Sequence, residues 1–257
     1  MKDRVKADLH NHLGRYGTFE SADGVIDIAS ERLGENGILG IVNCDDKRYE
    51  KFVDSLGYEI INIGNAVYVP KKKILVIKGQ EVFCEAHALI FGLPYRKNIE
   101  RKRLEDALKE ATDLGTDKVA DHPGYNDGIM WIDNWKNLLH YFDSWEAYNS
   151  EAELWIPKLT KRDANEKAIE FYIKNIMIEE DMGICSFSDG HSIREIATSY
   201  TWLPFPDIRN AESLNLSLRD GFRKTRQLKY LVRNPSKRGA LKHAIDIKLL
   251  NKISPGR

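Results

Sequence analysis

The amino-acid sequence predicts an α/β protein with a mostly parallel sheet that is closed or nearly closed. Short apolar runs bounded by polar turns alternate along the chain with segments of helical periodicity, as expected where strands and helices follow one another. Histidines and carboxylates lie at the ends of the predicted strands, on the face where α/β barrels build active sites. At 257 residues the chain suits one large barrel or two modest domains, so length alone does not decide.

The first half of the chain contains five predicted strands, each an apolar run bounded by polar or turn-forming residues: 5–12, 37–44, 59–69, 74–82 and 86–93. The second of these is apolar on both faces, which is typical of a strand buried on both sides. The third and fourth form an extended pair around a turn of Pro70 and three lysines. Two amphipathic segments between the strands predict helices: residues 22–33 and 45–56.

The second half continues the alternation. Four further apolar runs predict strands: residues 118–121, 145–148, 183–188 and 200–203. Three segments with apolar residues at helical spacing predict helices: residues 104–114, 132–141 and 163–182. Near the C-terminus, Leu241, Ile245 and Leu249 form one apolar stripe, which predicts a helix over residues 240–250.

Composition favours a cytoplasmic protein with a sizeable core. Hydrophobic residues make up 42% of the chain and charged residues 30%, and no apolar run is long enough to span a membrane. Residues 1–6 lack the apolar segment of a signal peptide. The three cysteines are far apart and lack Cys-x-x-Cys spacing, so we expect reduced thiols.

The net charge of zero conceals a strong asymmetry. Residues 219–257 contain 12 Lys or Arg and 2 Asp or Glu, whereas residues 1–218 contain 27 basic and 37 acidic residues. Three interpretations of the basic segment stay open at this stage. Its charges face water on a packed helix, or they bind nucleic acid with release of counterions, or they dock on a partner protein or anionic surface.

The first predicted strand ends in a potential metal-binding pair. Residues two apart in a strand point to the same side, so His10 and His12 would present two imidazoles to one cation, roughly 6 to 7 Å apart along the strand. Alone, such a pair is often incidental. Its weight comes from the residues that accompany the other predicted strands: Asp45, Asp46, Glu81, His87, His122, Asn149, Asp189 and His191.

Five motifs in order resemble those of the PHP (polymerase and histidinol phosphatase) superfamily. They are Asp8-Leu9-His10-Asn11-His12, Gly79-Gln80-Glu81, His87 within residues 85–89, His122-Pro123-Gly124 and Ser188-Asp189-Gly190-His191. The likeness spans roughly residues 6–222 and ends at a stretch similar to the family's Leu-Arg-x-Gly. It implies a distorted (βα)7 TIM-like barrel over residues 1–222. We expect the basic extension, residues 223–257, to be helical and packed on or beside that barrel.

The resemblance also implies a centre of two divalent metal ions, manganese, iron or zinc. Carried over by position, His10, His12, Glu81 and Asp189 would hold one ion. Glu81, His87 and His122 would hold the second, with Glu81 bridging.

A third metal ion, present in some members of the superfamily, is expected to bind weakly or not at all. The family usually has Thr-Asp-His-Asp after the second strand, but residues 42–46 here are Val-Asn-Cys-Asp-Asp. His191 is the clearest third-site ligand that is kept. Asp45 or Asp46 could partly restore the site, since carboxylates suit manganese or magnesium.

Further residues have expected roles around this centre. His191 and Asp189 are the predicted catalytic residues, with His191 giving a proton to the leaving alkoxide if it is not itself a ligand. We expect Asp8 to orient an imidazole from behind. Arg15 and Arg194 would grip a substrate phosphate, unless they are solvated surface charges, and Asn149 would line the pocket. Cys44 is expected to pack as a buried thiol, and His140 and His243 to have no part in the site.

These expectations predict a metal-dependent phosphoesterase. It would hydrolyse a phosphomonoester or phosphodiester of a phosphorylated small molecule or nucleotide by attack of a metal-bound hydroxide. The alternative is a non-catalytic PHP module that binds metal and nucleic acid, through the basic extension, or a protein partner. A barrel hydrolase of C–N bonds would also begin with His-x-His, but the later motifs fit it poorly.

Overall fold

The computed structural model describes residues 3–13, 21–44, 46–100, 102–153, 163–178 and 180–236. Its strands are β1 Arg4–Asp8, β2 Gly37–Asn43, β3 Ile61–Asn62, β4 Ala66–Val69, β5 Ile74–Phe83, β6 His87–Phe91, β7 Asp117–Ala120, β8 Ser144–Asn149, β9 Gly183–Phe187, β10 Tyr200–Pro204 and β11 Leu231–Val232. Its α-helices are α1 Ala22–Leu33, α2 Arg48–Asp54, α3 Leu104–Asp113, α4 Trp135–Leu138, α5 Ala164–Asn175 and α6 Ala211–Arg223. Among these residues, none of the helices has the length and apolar character needed to span a membrane.

Seven strands form a nearly closed barrel in the order β1-β2-β5-β6-β7-β8-β9. Its two edges meet at a parallel bridge between Asn11 and Gly190. There the N–H of His12 donates to the carbonyl of Gly190 (2.7 Å), and the N–H of Gly190 donates to the carbonyl of His10 (3.2 Å). The predicted distorted TIM-like barrel is therefore confirmed. The closing bridge involves the backbone of the His-x-His motif itself. The hydrogen bonds that close the barrel therefore also fix the positions of His10 and His12.

The direction of strand β6 is what distorts the barrel relative to a fully parallel one. It runs antiparallel to both β5 and β7, whereas the other neighbouring pairs of the barrel are parallel. Its amino end therefore lies beside the carboxyl ends of β5 and β7. This reversal places His87, the first residue of β6, at the same edge of the barrel as Glu81 and His122.

Burial on both faces of the strands explains their apolar runs. Every residue of β2 is buried, with Ile38 and Val42 in the interior cluster of the barrel and Leu39 and Ile41 against the outer layer that contains α1. Burying one such side chain stabilises the fold by about 1.5–3 kcal/mol. The same two-sided burial is what a barrel wrapped by helices requires.

Helix α6 lies at the end of the barrel opposite the histidines and was not predicted. The side chain of Asn210 begins the helix by accepting from the N–H of Ser213 (2.9 Å). Its buried face, Leu214, Leu218 and Phe222, packs on the interior cluster. The four-residue spacing of these three residues was the available signal. Because α6 closes this end, the other end is left for the site.

Three predicted segments differ from the observed elements. The helix predicted over 163–182 ends at Asn175, where the N–H groups of Ile176 and Met177 both donate to the carbonyl of Tyr172. The helix predicted over 132–141 is α-helical only over Trp135–Leu138 and is flanked by 3-10 turns. The strand predicted over 59–69 divides into β3 and β4 at Gly64, whose φ of +99° makes the turn.

Part of the predicted basic extension is packed on the barrel. Strand β11 pairs with β10, which pairs with β1. Beyond it, the N–H of Ser236 donates to the carbonyl of Ser150 (2.9 Å), close to the carboxyl end of β8. Residues 237–257, with the predicted helix over 240–250 and His243, lie outside the described residues.

These contacts predict that a chain ending at Phe222 is less stable than one ending at Ser236. The shorter chain loses β11 and the buried Thr225, whose carbonyl accepts from the N–H of Ile184 (2.6 Å) and whose hydroxyl accepts from Arg4 (3.2 Å). At about 1 kcal/mol for each hydrogen bond, the loss should be roughly 3 kcal/mol or more. Urea unfolding of the two chains measures it, and equal midpoints with equal slopes would contradict it.

Candidate metal centre

The structure brings all seven residues predicted as ligands together at the histidine end of the barrel. They come from the segment after β1, the end of β5, the start of β6 and the segments after β7 and β9: His10, His12, Glu81, His87, His122, Asp189 and His191. All are buried except His87, whose side chain is 13% exposed. Residues far apart in the sequence thus form one buried cluster.

One group of donors surrounds the two histidines of the first motif. The Nε2 atoms of His10 and His12 are 3.0 Å apart. Oδ1 of Asp189 lies 3.3 Å from the first and 3.5 Å from the second. Oε2 of Glu81 is 3.2 Å from Nε2 of His12. The donor atoms of His10, His12 and Asp189 lie within 4.8 Å of one another, as the ligands of a cation do, and Glu81 faces this group through His12.

A second group faces the other oxygen of the same glutamate. Oε1 of Glu81 lies 3.0 Å from Nδ1 of His87 and 3.4 Å from Nε2 of His122. Because each oxygen of Glu81 faces a different group, this carboxylate is placed to bridge two cations.

The spacing of the donors fits metal ions. Ligands about 2.0–2.1 Å from a tetrahedral ion are about 3.3–3.5 Å apart. The nitrogen–oxygen distances in the two groups range from 3.0 to 3.5 Å. Imidazole and carboxylate donors together suit zinc, iron and manganese. The residues present therefore fit the divalent ions that the resemblance implies.

Two buried carboxylates that were not predicted stand behind the histidines. Oε1 of Glu146, in β8, lies 3.2 Å from Nδ1 of His10, and its Oε2 accepts from the N–H of His122 (2.8 Å). Oδ1 of Asp121 lies 3.4 Å from the same Nδ1 of His10. Glu146 could have been suspected from the sequence, because it is a charged residue within the otherwise uncharged strand Ser144–Asn149. Asp121 offered no such signal, because it directly precedes His122, which was already assigned to the site.

A third unpredicted carboxylate contacts His191. Oε1 of Glu151 lies 3.2 Å from Nδ1 of His191, which is also 2.9 Å from the carbonyl of Asp189. The amide nitrogen of Asn149 lies 3.2 Å from Oδ2 of Asp189 and 3.4 Å from Oε2 of Glu146. The predicted pocket residue Asn149 thus contacts the carboxylates themselves.

Charge in the pocket is unevenly shared. Burial alone raises the pKa of Glu81, but hydrogen bonds with His12, His122 and His87 outweigh burial and hold that pKa well below its ordinary value. Burial raises the pKa of Asp121 well above its ordinary value, and the charge of Glu81 raises it further. Five carboxylates are buried together here: Glu81, Asp121, Glu146, Glu151 and Asp189. Bound metal cations would offset the repulsion among them.

Asp8 has a different contact from the one predicted. Instead of orienting an imidazole, its carboxylate accepts from the N–H of Ser188 (3.0 Å) and the N–H of Ala197 (2.7 Å). It therefore fixes the two ends of the segment that carries Asp189 and His191. Asp189 itself adopts a φ of +52°, a conformation that such fixed ends help to maintain.

Asp8 predicts a pH effect on the metal-free protein. Burial raises its pKa to about 6, despite the opposing backbone hydrogen bonds. Between its unfolded value of about 4 and about 6, the folded state binds more protons, so the free energy of unfolding falls as pH rises, by about 3 kcal/mol. Asp8→Asn lacks this titration. Urea unfolding at pH 4, 5, 6 and 7 should show the advantage of the wild type shrinking, and a constant difference would contradict the prediction.

The remaining predicted residues lie at the margin of the site. Both oxygens of Asp46 accept from Arg48, which also donates to the carbonyl of His12 (3.1 Å). Asp46 is thus already paired with a cation. Sγ of Cys44 is buried, 3.5 Å from Nδ1 of His12. Four other residues considered in the sequence analysis are exposed or cannot be placed: Arg194 and His140 are exposed, and Arg15 and Asp45 lie outside the described residues.

Comparison with known proteins identifies the fold. No family model matches the sequence, and no curated protein matches it. A solved structure from Bacteroides vulgatus, a two-domain protein containing a predicted PHP-like metal-dependent phosphoesterase, matches 87% of this chain and 63% of its own, with a TM-score of 0.54 and 16% identity. This chain has a PHP-like fold. The resemblance read from the five motifs is therefore confirmed at the level of the fold.

Other solved structures match this fold over different lengths. PsfC of Pseudomonas syringae matches 96% of this chain and 99% of its own, with a TM-score of 0.60 and 12% identity. Endonuclease Q, in complex with a 27-mer duplex bearing an abasic lesion, matches 86% of this chain and 57% of its own, with a TM-score of 0.58 and 14% identity. The chain thus spans less than two thirds of Endonuclease Q and of the Bacteroides protein.

Proposed function

We propose that this chain is a member of the PHP superfamily and a metal-dependent phosphoesterase that hydrolyses a phosphomonoester or phosphodiester. The observation that carries the proposal is the position of Glu81 between two groups of imidazoles, one oxygen facing each. A shared carboxylate of this kind is what a two-metal hydrolytic centre needs.

The residues divide into ligands and supports. His10, His12 and Asp189 would hold one ion, His87 and His122 the other, and Glu81 both. When bound, two such ions supply a strong nucleophile at neutral pH and offset the negative charge that develops on a phosphoryl group. Glu146 fixes His10 and the backbone of His122 from behind, which keeps the imidazoles in one orientation.

His191 is the proposed proton donor to the leaving alkoxide. Both Glu151 and the carbonyl of Asp189 face its Nδ1. These acceptors stabilise the protonated ring, so that Nε2 can deliver a proton. The backbone N–H of His191 donates to the carboxylate of Glu195 (3.0 Å), and this hydrogen bond helps to fix the backbone position from which the ring extends.

Nucleic acid is the candidate substrate that the charge distribution favours. The segment 219–257 carries 12 basic and 2 acidic residues, and Endonuclease Q, which shares the fold, is a nuclease with a duplex substrate. Ser236, the last described residue of this segment, donates its N–H to the carbonyl of Ser150, next to the end of β8. A phosphorylated small molecule or nucleotide is the other candidate substrate.

Elemental analysis of the purified protein, run with hydrolysis assays in added manganese, tests the proposal. The assays use p-nitrophenyl phosphate, bis(p-nitrophenyl) phosphate and a DNA duplex with one abasic site. We expect about two ions per chain and turnover of at least one of the three. Bound metal without any turnover would support the non-catalytic module, and fewer than one ion per chain would overturn the two-metal centre.

A further inference from the structure

Asp121 is a buried carboxylate that the ligand sets implied by the resemblance leave out. It follows β7, directly before His122, and is fully buried. Within the part of the chain that the structure describes, no N–H group donates to either of its oxygens in hydrogen-bonding geometry. Its polar neighbours are Nδ1 of His10, Nε2 of His122 and the carboxylate of Glu146. Two buried carboxylates side by side repel each other unless a proton or a cation lies beside them, and a metal cation beside Asp121 would offset that cost.

The donor group that faces His87 contains this carboxylate. One donor atom from each of Glu81, His87, Asp121 and His122 lies within 4.8 Å of the others. Oδ2 of Asp121 is 3.2 Å from Nε2 of His122. This distance falls within the range of 3.0–3.4 Å that joins Glu81 to the two histidines. All four donors therefore have the spacing of ligands around one ion.

Orienting His10 does not account for Asp121. Nδ1 of His10 already has Oε1 of Glu146 at 3.2 Å, in hydrogen-bonding geometry. The contact of Asp121 with the same nitrogen is longer, 3.4 Å, and lacks that geometry. Glu146 is sufficient for the orienting role, which leaves Oδ2 of Asp121 directed at the second donor group.

We propose that Asp121 is a fourth ligand of the second ion and makes that position selective for manganese or iron over zinc. The proposal rests on the two-metal centre of the proposed function. Four protein donors fill a tetrahedral zinc ion and leave no position for water or substrate. Manganese and iron take up to six ligands, so two positions stay open, and two carboxylates among four donors favour these harder ions.

Metal content and affinity test the proposal without relying on activity. Wild type and Asp121→Asn are expressed with equal manganese, iron and zinc in the medium and analysed by elemental analysis after gel filtration. We expect about two ions per chain in the wild type and about one in Asp121→Asn. In titrations of the stripped proteins, Asp121→Asn should bind the second manganese at least tenfold more weakly, and its preference for manganese over zinc should fall.

Asp133→Asn is the matched control, because it removes the same charge from an exposed carboxylate on the segment that follows His122. This variant should keep both ions. Equal loss of the second ion in both variants would show an effect of charge rather than coordination and would overturn the inference. Asp121→Ser serves if Asp121→Asn does not fold, which circular dichroism establishes.

The outcomes separate this inference from the proposed function. A wild type with fewer than one ion per chain would overturn the two-metal centre and the inference with it. A wild type with two ions and an Asp121→Asn variant with the same two ions and unchanged manganese affinity would overturn the inference alone.

Discussion

Replacing Glu81 by alanine is expected to lower kcat/KM for a phosphate ester by about a thousandfold or more, at least about 4 kcal/mol of transition-state stabilisation. The reason is that Glu81 has one oxygen facing each donor group. Its loss weakens both proposed ions together, whereas loss of any single histidine affects one group. Steady-state kinetics in saturating manganese measures the effect, and elemental analysis should show fewer bound ions.

The fold should survive this substitution. Glu81 lies in a pocket that holds four further buried carboxylates, Asp121, Glu146, Glu151 and Asp189. The histidines that contact Glu81 therefore keep other anionic neighbours after its removal, as His12 keeps Asp189 and His122 keeps Asp121. Circular dichroism should match the wild type. Glu105→Ala, on the outer surface of α3, is the control and should leave turnover unchanged. Wild-type turnover in both Glu81→Ala and His12→Ala would show that the site is wrongly assigned.

Replacing Lys78 by methionine is expected to destabilise the protein by about 3–5 kcal/mol. Lys78 lies in β5 and is fully buried. Its ammonium donates to Oε1 of Glu50 (2.5 Å) and to the carbonyl of Lys97 (2.7 Å). Glu50 in turn accepts from the side chain of Asn43 (3.0 Å), so it would remain buried and charged without its cation. Urea unfolding measures the loss.

Two controls define the cause of this loss. Lys73→Met removes a lysine that pairs with Glu35 on the surface, 54% exposed, and should cost less than about 1 kcal/mol. The double variant Lys78→Met with Glu50→Gln should lose less than the two single variants together, because it leaves no unpaired buried charge. A Lys78→Met protein within about 1 kcal/mol of the wild type would contradict the prediction.

The Lys78 network also connects stability to the site. It joins α2 to the end of β2 through Glu50 and Asn43. The next residues, Cys44 and Arg48, contact the side chain and the carbonyl of His12. Loss of the network should therefore loosen one wall of the metal centre as well as the fold.

Sequence patterns were sufficient for much of the barrel and for the predicted ligands. The apolar runs of the barrel strands are local, so their periodicity is visible without any contact. The candidate ligands could be proposed from sequence because they stand in short motifs at strand ends. Helix α6 was missed because its three large buried apolar residues lie within a polar stretch, and their common partner, the barrel interior, exists only after folding.

The sequence by itself determined the α/β class, the order of the strands along the chain and the seven residues that meet in the pocket. Only the tertiary structure decided which way β6 runs, and thereby which end of it faces Glu81. It also decided that Asp121, Glu146 and Glu151 are buried beside the histidines and that Asp46 is paired with Arg48. The physical reason is that a carboxylate has the same local pattern in water and in a pocket, and only its distant neighbours distinguish the two.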